Sequence, residues 1–327
     1  MLREKRIMIW TRALLAAALV LTSPAISAQT YPSRQITVIV PFAAGGSNDM
    51  VARAIGRKLS ETWGQPVVVE NRAGAGGMIG SSAVAAAPPD GYTLLLVSTT
   101  FTINPAIKNN MPFDTTRDFT PVAYIARSPL LLVASNKLAV KSASELLALA
   151  RSKPGQITYA SSGLGSINQI SAELIALSAG ASFTHVPYKG GALALNDLVG
   201  GFVDIYVSSL PQVLQLAQSG QARALAVTSA RRTALLPDVP TLAEAGIPGV
   251  DLWSWWGIVG PAGMPADIVN ALNAEIGKML TSPELGKFLA SEGAEAETMT
   301  PQQFGDMMRL ETERWTKVAH EANISID

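Results

Sequence analysis

Apolar residues along this chain follow two alternating patterns, one typical of strands and one typical of helices. Residues 35–40 form a short, largely β-branched run, which predicts a buried strand. Val51, Ile55 and Leu59 then recur every four residues, which predicts one face of a helix. Because this succession of strand, turn and helix returns along the chain, we predict an α/β fold.

The same two patterns outline most of the remaining chain. Apolar runs predict a strand that begins at Phe183 and others at 66–69, 92–97, 122–126, 130–134, 157–160, 203–207 and 222–228. Helical spacing predicts helices at 81–87, 142–150, 167–179, 195–198, 267–280, 283–291 and 301–322. Residues 129–228 therefore look like a complete second α/β unit.

The turn between the first strand and the first helix has the composition of an anion site. Gly45 and Gly46 let a ligand approach the backbone, and Ser47, Asn48 or Asp49 is expected to cap the helix. Helix N-termini present N–H groups and a positive dipole end to anions. We predict ligand contacts from Gly45, Gly46, Ser47 and Asp49; an ordinary capped turn is the alternative. Asp49 is expected to act as a cap, or as the partner of a ligand amine.

Hydroxyl and glycine residues also follow other predicted strands, at the ends where ligands bind in open parallel sheets. We predict that they form a second part of the binding rim, made of Ser98, Thr99, Ser161, Gly163, Gly165, Ser166, Tyr188 and Ser208. The alternative is that the hydroxyls only cap the segments that follow them.

Charged and aromatic residues near these turns have more than one candidate role. No arginine lies inside the turns, so backbone N–H groups and helix dipoles are expected to hold the anion. Arg72 is the nearest candidate for a direct ion pair, or else it braces its own loop. A side chain at Gly46 would block the ligand, and a positive φ there would add strain. The tryptophans are expected to pack in the core or an interface, or to form a ligand wall; they are Trp253, Trp255 and Trp256.

Residues 1–28 have the features of a secretory signal peptide. A basic start that includes Arg3 and Lys5 precedes the apolar run 13–21, and small residues up to Ala28 offer a cleavage site. The run is short for a bilayer span, and an uncleaved anchor is the alternative. The chain has 25 basic and 25 acidic residues, and cleavage leaves 21 and 24. We predict an exported, periplasmic protein cleaved near Ala28.

Composition and spacing disfavour several other classes of protein. The chain has no cysteine and only two histidines, His185 and His320, so neither a zinc site nor a cofactor is expected. Gly74 and Gly76 lack the third glycine of a dinucleotide motif, because position 79 is Ile79. A secreted hydrolase is the main enzymatic alternative, but the sequence has no Gly-x-Ser-x-Gly motif. Basic residues do not cluster as in nucleic-acid-binding proteins.

Several long motifs occur in a fixed order after residue 30. They are Tyr31-Pro32, Pro41-Phe42-Ala43-Ala44-Gly45-Gly46-Ser47-Asn48-Asp49, Val69-Glu70-Asn71-Arg72-Ala73-Gly74-Ala75-Gly76-Gly77, Pro89-Asp90-Gly91-Tyr92-Thr93-Leu94, Val186-Pro187-Tyr188-Lys189-Gly190, Pro237-Asp238-Val239-Pro240-Thr241 and Trp256-Gly257. With them, the chain resembles the substrate-binding receptors of the tripartite tricarboxylate transporter system, the Bug or TctC family.

The resemblance implies a two-domain periplasmic binding protein of type II-like α/β fold, with a hinge and an interdomain ligand cleft. One domain would comprise 29–128 plus 229–327 and the other 129–228, with hinge crossings near 126–135 and 226–230. The implied function is capture of a small carboxylate and its delivery to membrane transporter subunits, by a monomer without enzymatic activity. A ligand-sensing receptor of a signalling system is the alternative, and the ligand itself stays open.

Overall fold

A computed structural model describes residues 31–321 and residue 324 of the chain. All elements named below belong to the compact unit Arg34–Asp327. The predicted signal peptide, 1–28, and the last residue of the predicted helix 301–322 lie outside the described residues. Within the described residues, no helix combines the length and the apolar character that a membrane span requires.

Among the described residues, ten strands form the framework of the fold. They are β1 (Ile36–Val40), β2 (Val67–Asn71), β3 (Thr93–Ser98), β4 (Phe119–Ser135), β5 (Ile157–Ser161), β6 (Phe183–Pro187), β7 (Ile205–Ser209), β8 (Ala222–Val227), β9 (Trp253–Pro261) and β10 (Glu295–Ala296). The main sheet has the order β2-β1-β3-β9-β4-β7-β5-β6, and β8 and β10 pair with β4.

Helices connect these strands. They are α1 (Ser47–Trp63), α2 (Met78–Ala85), α3 (Thr99–Ile107), α4 (Ala143–Ser152), α5 (Ile167–Ala179), α6 (Gly191–Gly200), α7 (Leu210–Gln218), α8 (Ala266–Thr281), α9 (Pro283–Ser291) and α10 (Pro301–Glu321). A single 3₁₀ turn, Ala75–Gly77, precedes α2. The alternation of strands and helices confirms the α/β class.

The long strand β4 divides the sheet into two halves. Up to Pro129 it pairs antiparallel with β9, and from Leu130 it pairs with β7 and β8. The first half therefore contains β2, β1, β3, β9 and the start of β4, and the second half contains the end of β4 with β7, β5, β6 and β8. The sequence pattern predicted two strands here, at 122–126 and 130–134. A single strand forms instead. Pro129 has no N–H to donate to a ladder, but the strand tolerates it because it lies where β4 changes from one neighbouring strand to the next.

Strand direction brings the functional ends of both halves together. In the first half, β1 is parallel to β2 and β3; in the second, β5 is parallel to β6 and β7. The helices α1 and α3 begin after β1 and β3, while α5 and α7 begin after β5 and β7. Helix N-termini therefore gather at the carboxyl ends of the parallel strands.

An aromatic cluster supports the first half of this arrangement. Phe101 of α3 packs edge to face on Phe119 of β4, with ring centroids 5.1 Å apart. Trp255 of β9 packs on Phe304 of α10 with centroids 5.8 Å apart. The Phe101–Phe119 pair fixes α3 against the sheet. Residues of α3 form one wall of the site described next.

Candidate functional site

A small cavity lies where five helices begin. Its wall contains an N-cap or first-turn residue of each of α1, α3, α5, α6 and α7. The volume open to the centres of water-sized molecules is about 30 Å³. The lining residues come from both halves of the sheet: Phe42, Gly46, Ser47, Asn48, Ser98, Thr100, Ser162, Ile167, Asn168, Gly191, Ser208, Ser209 and Ser254.

The electrostatics of this cavity favour an anion. Each helix N-terminus carries unsatisfied N–H groups and the equivalent of about half a positive charge. Along the described part of the chain, the residues that line the cavity carry no charged side chain. A carboxylate in this space would therefore meet N–H and O–H donors on several sides without a cation beside it.

The loop from β1 to α1 is held by the Asp49 carboxylate. Asp49 Oδ2 accepts hydrogen bonds from the Gly45 N–H at 3.0 Å and from Arg53 Nε at 2.9 Å. Its Oδ1 accepts from Asn71 Nδ2 at 3.0 Å. Burial opposes ionisation, but the bonds from Arg53, Gly45 and Asn71 outweigh it and hold the pKa of Asp49 below its usual value. Both carboxylate oxygens thus serve the loop.

The two glycines of this loop differ in conformation. Gly45 has φ +84° and points its N–H at Asp49, so the left-handed conformation belongs to this residue. Gly46 is extended, with φ −88° and ψ 174°, so the expectation of a positive φ at Gly46 is wrong. A Cβ there would lie 3.9 Å from both Ala43 O and Gly191 N. Backbone strain is therefore not a constraint at Gly46, and a Cβ would reduce the open space of the cavity that Gly46 lines.

One of the three tryptophans on β9, Trp256, contacts a residue of the cavity wall. Trp256 Nε1 donates to Asn48 Oδ1 at 2.7 Å, and the Trp256 side chain is fully buried. This bond fixes the orientation of the Asn48 amide, which lines the cavity. Trp255 belongs to the aromatic core, while Trp253 lies under the guanidinium of Arg127.

Donors from β7 and α7 form another wall. Ser208 Oγ donates to Gln212 Oε1 at 3.0 Å. Two further buried groups, Ser209 Oγ and Gln212 Nε2, have no hydrogen-bond partner among the described residues. Because buried polar groups are rarely left unpaired, Ser209 in the cavity wall is expected to bind a ligand or water.

In the loop that follows β5, the groups predicted to contact a ligand make hydrogen bonds to the end of β5 and the start of α5. The Gly163 N–H donates to Ser161 Oγ at 3.2 Å, and the Gly165 N–H donates to Gln169 Oε1 at 2.8 Å. Ser166 caps α5 by accepting from the Gln169 N–H. These groups shape the loop, while Ser162 and Asn168 face the cavity; Ser162 Oγ donates to Asn168 Oδ1 at 2.6 Å.

A histidine supports the same loop. His185 Nε2 lies 2.6 Å from Ser161 Oγ, and the imidazole stacks on Tyr159 with centroids 4.7 Å apart. Burial lowers the pKa of His185 to about 4, so the ring is neutral at neutral pH. A neutral imidazole can hydrogen-bond to Ser161 Oγ without adding charge near the anion site.

The two halves of the sheet touch at the cavity, whose wall includes Thr100 and Ile167; we call the contact between the halves the seam. The Ala43 N–H donates to Lys189 O at 3.3 Å, and the Ile167 N–H donates to Thr100 Oγ1 at 3.2 Å. Gly76 approaches the Leu164 carbonyl so closely that a Cβ would lie 2.2 Å from its oxygen. Backbone of the two halves is therefore in direct contact along the seam.

The predicted rim residues thus separate into two groups. Gly46, Ser47, Ser98 and Ser208 line the cavity. The others lie in the loops and helices around it: Gly45, Asp49, Thr99, Ser161, Gly163, Gly165, Ser166 and Tyr188. Two of these face other elements, since Thr99 Oγ1 accepts from the Trp255 N–H at 3.0 Å and Tyr188 Oη donates to Asp197 at 2.5 Å.

Sequence reasoning did not select nine lining residues, which are Phe42, Asn48, Thr100, Ser162, Ile167, Asn168, Gly191, Ser209 and Ser254. Several are direct neighbours of selected residues in the same turns, so the selected turns border the cavity through residues other than those selected. Gly191 had its signal in a Gly-Gly turn before a helix. Asn168 and Ser254 had no local signal, because only the packed structure shows which face of α5 or β9 meets the cavity.

Arg72 takes the second of its two proposed roles. Its guanidinium pairs with Glu70 at 2.7 Å, and both side chains are nearly half exposed. Arg72 is outside the cavity wall. It contacts the end of β2 rather than the anion site.

Comparison with known proteins shows which family this chain resembles. The profile of the tripartite tricarboxylate transporter family receptor matches residues 51–324. BugT of Bordetella pertussis is 39% identical over 303 residues, 92% of this chain and 93% of BugT. The structure of R. palustris Rpa4515 with adipate has a TM-score of 0.88 and 40% identity, covering 90% of this chain and 99% of that chain. MatC (Rpa3494) from Rhodopseudomonas palustris with bound malate has a TM-score of 0.85 and 33% identity, covering 88% and 99%.

A further neighbour confirms the fold class. The periplasmic binding protein BugD has a TM-score of 0.87 and 32% identity, covering 90% of this chain and 99% of that chain. The predicted periplasmic-binding-protein fold and the family resemblance are both confirmed.

Proposed function

The chain belongs to the tripartite tricarboxylate transporter receptor family, and from this premise we propose that it captures a small carboxylate between the two halves of its sheet. It then hands this solute, chemically unchanged, to membrane transporter subunits. The proposal places the mature protein in the periplasm as a monomer, after cleavage near Ala28. It assigns 29–128 plus 229–327 to one domain and 129–228 to the other.

One observation carries the proposal: a cavity at five helix N-termini whose described wall has no charged side chain. Such a wall matches an anion, which gains from N–H donors and dipoles together. Two relatives of 40% and 33% identity are described with adipate and malate, which are both dicarboxylates. The same chemistry in this chain is the simplest account of its cavity.

Thermal unfolding tests carboxylate capture. Purified mature protein is heated with adipate, succinate, malate or citrate, and in parallel with the corresponding uncharged amides. A ligand at a hundred times its Kd adds about 2.7 kcal/mol to folding stability. At about 2–4 °C per kcal/mol, the matching acid raises the Tm by several degrees and its amide does not. A panel without any shift contradicts the proposal.

Delivery and sensing are separated by a transport measurement. Uptake of the labelled carboxylate is compared in cells with and without this chain, at equal levels of the membrane subunits. The proposal expects uptake to depend on the chain. Ligand-dependent gene expression with unchanged uptake would instead identify a sensing receptor.

A further inference from the structure

A groove beside the predicted hinge crossings is much larger than the cavity; we call it the back groove. Its wall includes Arg127, Pro129, Arg231, Leu235, Trp253 and Ala290. The volume open to the centres of water-sized molecules is about 640 Å³, against about 30 Å³ in the cavity. Small-molecule sites have volumes of about 300–1,000 Å³ and often lie between domains. The back groove is therefore large enough for a ligand of its own.

The back groove and the cavity lie on opposite faces of β9. Trp253 lines the back groove, and Ser254, the next residue of the strand, lines the cavity. Consecutive side chains of a strand point to opposite faces, so β9 separates the two spaces. Among the described residues, none belongs to both walls. A ligand in the back groove would therefore not compete with a solute in the cavity for the same contacts.

The charged side chains in the wall of the back groove are mostly paired. In the described structure they are Arg127, Arg231, Arg232, Asp251 and Glu295. Arg127 pairs with Glu295 at 3.1 Å, and Arg232 pairs at 2.8 Å with Glu244, which lies outside the wall. The Asp251 carboxylate accepts a hydrogen bond from Trp253 Nε1 at 2.9 Å. The wall therefore has one more arginine than it has acidic side chains.

Arg231 offers an unpaired cation to a ligand. Its side chain is exposed, and it makes neither an ion pair nor a hydrogen bond within the part of the chain that the structure describes. Its backbone is held in place, because Arg231 O accepts a hydrogen bond from Ser229 Oγ at 2.7 Å. A guanidinium can bind a carboxylate through two parallel N–H bonds. One acid group on a ligand would therefore balance the surplus positive charge.

The rest of the wall favours an apolar ligand body. Apart from the charged side chains, Ser229 and Thr233, the described wall consists of glycine and apolar residues. Trp253 contributes its indole, whose ring lies 4.7 Å from the Arg127 guanidinium. Sites of this kind, apolar with a few polar groups that fix orientation, are typical of small-molecule binding. The wall thus matches a molecule with an apolar body and a single negative charge.

Both halves of the sheet contribute to the back groove. β10, in its wall, pairs with the part of β4 that belongs to the first half. Leu235 packs on the apolar cluster of the second half, which includes Leu131. Gly293, also in the wall, approaches Leu210 of α7 so closely that a Cβ would lie 2.5 Å from Leu210 Cδ2. We therefore expect the width of the back groove to change when the halves rotate about the crossings.

The direction of this change follows from the position of the two spaces. Because they lie on opposite faces of β9, rotation that brings the halves together at the cavity widens the back groove. The halves are in contact at the seam in this structure, so the back groove has the width of the closed form. A ligand that fits this width favours closure.

We propose that the back groove is a second binding site, for an amphipathic monoanion whose acid group pairs with Arg231, and that this occupant favours closure of the halves. The site itself stands apart from the proposed function; only its effect on the solute rests on that function. By linkage, the occupant and the solute then raise each other's affinity by the same factor.

Isothermal titration with octanoate tests the site, because octanoate has an apolar chain and one carboxylate. Octanamide, its uncharged counterpart, is expected to bind about tenfold or more weakly. Arg231→Ala is expected to weaken octanoate binding by about tenfold or more. The matched control is Arg57→Ala, since Arg57 is also exposed but lies outside the back groove, and it should keep the wild-type Kd. No octanoate binding, or equal binding in Arg231→Ala and wild type, overturns the site.

A second variant tests the location without removing charge. Ala290→Trp places a large side chain in the back groove from an exposed position of α9, so octanoate binding is expected to be lost while circular dichroism still reports a folded protein. Octanoate that binds Ala290→Trp as it binds the wild type has its site elsewhere, in the cavity for instance, and overturns the proposal.

Coupling is measured with the acid that gives the largest Tm shift in the thermal panel. Saturating octanoate is expected to lower the Kd of that acid about fivefold or more in the wild type and to leave it unchanged in Ala290→Trp. An unchanged or raised Kd in the wild type overturns the effect on closure. Failure of every acid in the panel overturns the proposed function and the coupling together, whereas octanoate binding that depends on Arg231 still supports the site.

Discussion

At the scale of single residues, the buried Asp49 and the half-buried His185 hold the loops around the cavity in opposite ways. Asp49 is charged and ties the β1–α1 loop through Gly45, Arg53 and Asn71. His185 is neutral and contacts Ser161 at the end of β5. One loop is therefore held by a charge network and the other by a neutral pair, and the two respond differently to substitution and pH.

Replacing Asp49 tests the charge network. Asp49→Asn keeps the shape but removes an acceptor for the Gly45 N–H or Arg53, so the free energy of unfolding is expected to fall by about 1–3 kcal/mol. Urea unfolding measures it. The control is Glu70→Gln, which breaks the exposed pair with Arg72 and is expected to cost less than about 1 kcal/mol. Equal losses in both variants would contradict a special role for Asp49.

Acidification tests the state of His185. Burial lowers its pKa from 6.5 to about 4. Between these values the unfolded chain binds a proton that the folded protein does not, so the free energy of unfolding falls as the pH drops through this window. The contribution is complete above about pH 6.5 and lost progressively toward pH 4.

The readout is the slope of Tm against pH. His185→Phe keeps an aromatic ring on Tyr159 but cannot titrate, so its Tm is expected to fall less steeply than that of the wild type between pH 6.5 and 4. His320→Gln, at an exposed position of α10, serves as the matched control and should follow the wild-type slope. A wild-type slope in His185→Phe would show that the imidazole does not contribute.

At the scale of elements, the seam requires glycine where the two halves meet. Gly76 precedes α2 and faces the Leu164 carbonyl, and Gly190 precedes α6 and faces Ala43. A Cβ at Gly190 would lie 2.8 Å from the Ala43 Cβ. Neither contact can form with a larger residue unless the halves move apart. We therefore expect the turns that bear these glycines to control closure of the two halves.

Gly76→Ala tests this control. A Cβ 2.2 Å from Leu164 O is expected to keep the seam open and to weaken ligand binding by about tenfold or more. Gly64→Ala is a matched control, because Gly64 has φ +64°, close to the +65° of Gly76, but no atom of the described structure within 4 Å of a Cβ. Both variants are expected to lose about 1 kcal/mol of stability from backbone strain. Unchanged affinity in Gly76→Ala, by isothermal titration, would contradict a glycine-dependent closure.

The elements also show how far the sequence predicts this fold and where it fails. Periodicity located β1, α1 and most later units, since their apolar faces are regular. It missed α3 and α7, which begin directly after β3 and β7 without a turn. Nearly all of α3 is buried, so it has no polar face to reveal a helical period. Strand-end reasoning selected turns that border the cavity, but the lining residue within each turn depends on packing between elements.

At the scale of the whole molecule, few covalent connections join the two halves. β4 crosses from one half to the other at Pro129–Leu130, and the chain returns after β8. Thr228 fixes both crossings, because its N–H donates to Leu130 O at 2.9 Å and its Oγ1 donates to Leu252 O at 2.6 Å. We therefore expect this pair of crossings, braced at one point, to act as a hinge, while the seam lies at the carboxyl ends of the strands.

The hinge leads to a prediction about motion of the whole chain. Because the sequence contains no cysteine, labels can be placed at chosen sites. The double variant Glu61→Cys with Lys153→Cys carries one label in each proposed domain, both at exposed positions. Glu61→Cys with Lys278→Cys lies within one proposed domain and serves as the control. Ligand binding is expected to shorten the first distance, measured by double electron–electron resonance, and to leave the second unchanged.

The same labels connect closure to the seam. In the Gly76→Ala background the ligand is expected to leave the first distance long, because Leu164 O blocks the approach of the two halves. In the Gly64→Ala background the distance should shorten as in the wild type. If the first distance is unchanged while the same ligand raises the Tm, the two halves of the sheet do not close on the solute. The proposed domain boundaries at 128/129 and 228/229 then do not mark a hinge. If both distances shorten together, the motion lies within one domain, and the hinge is not at β4.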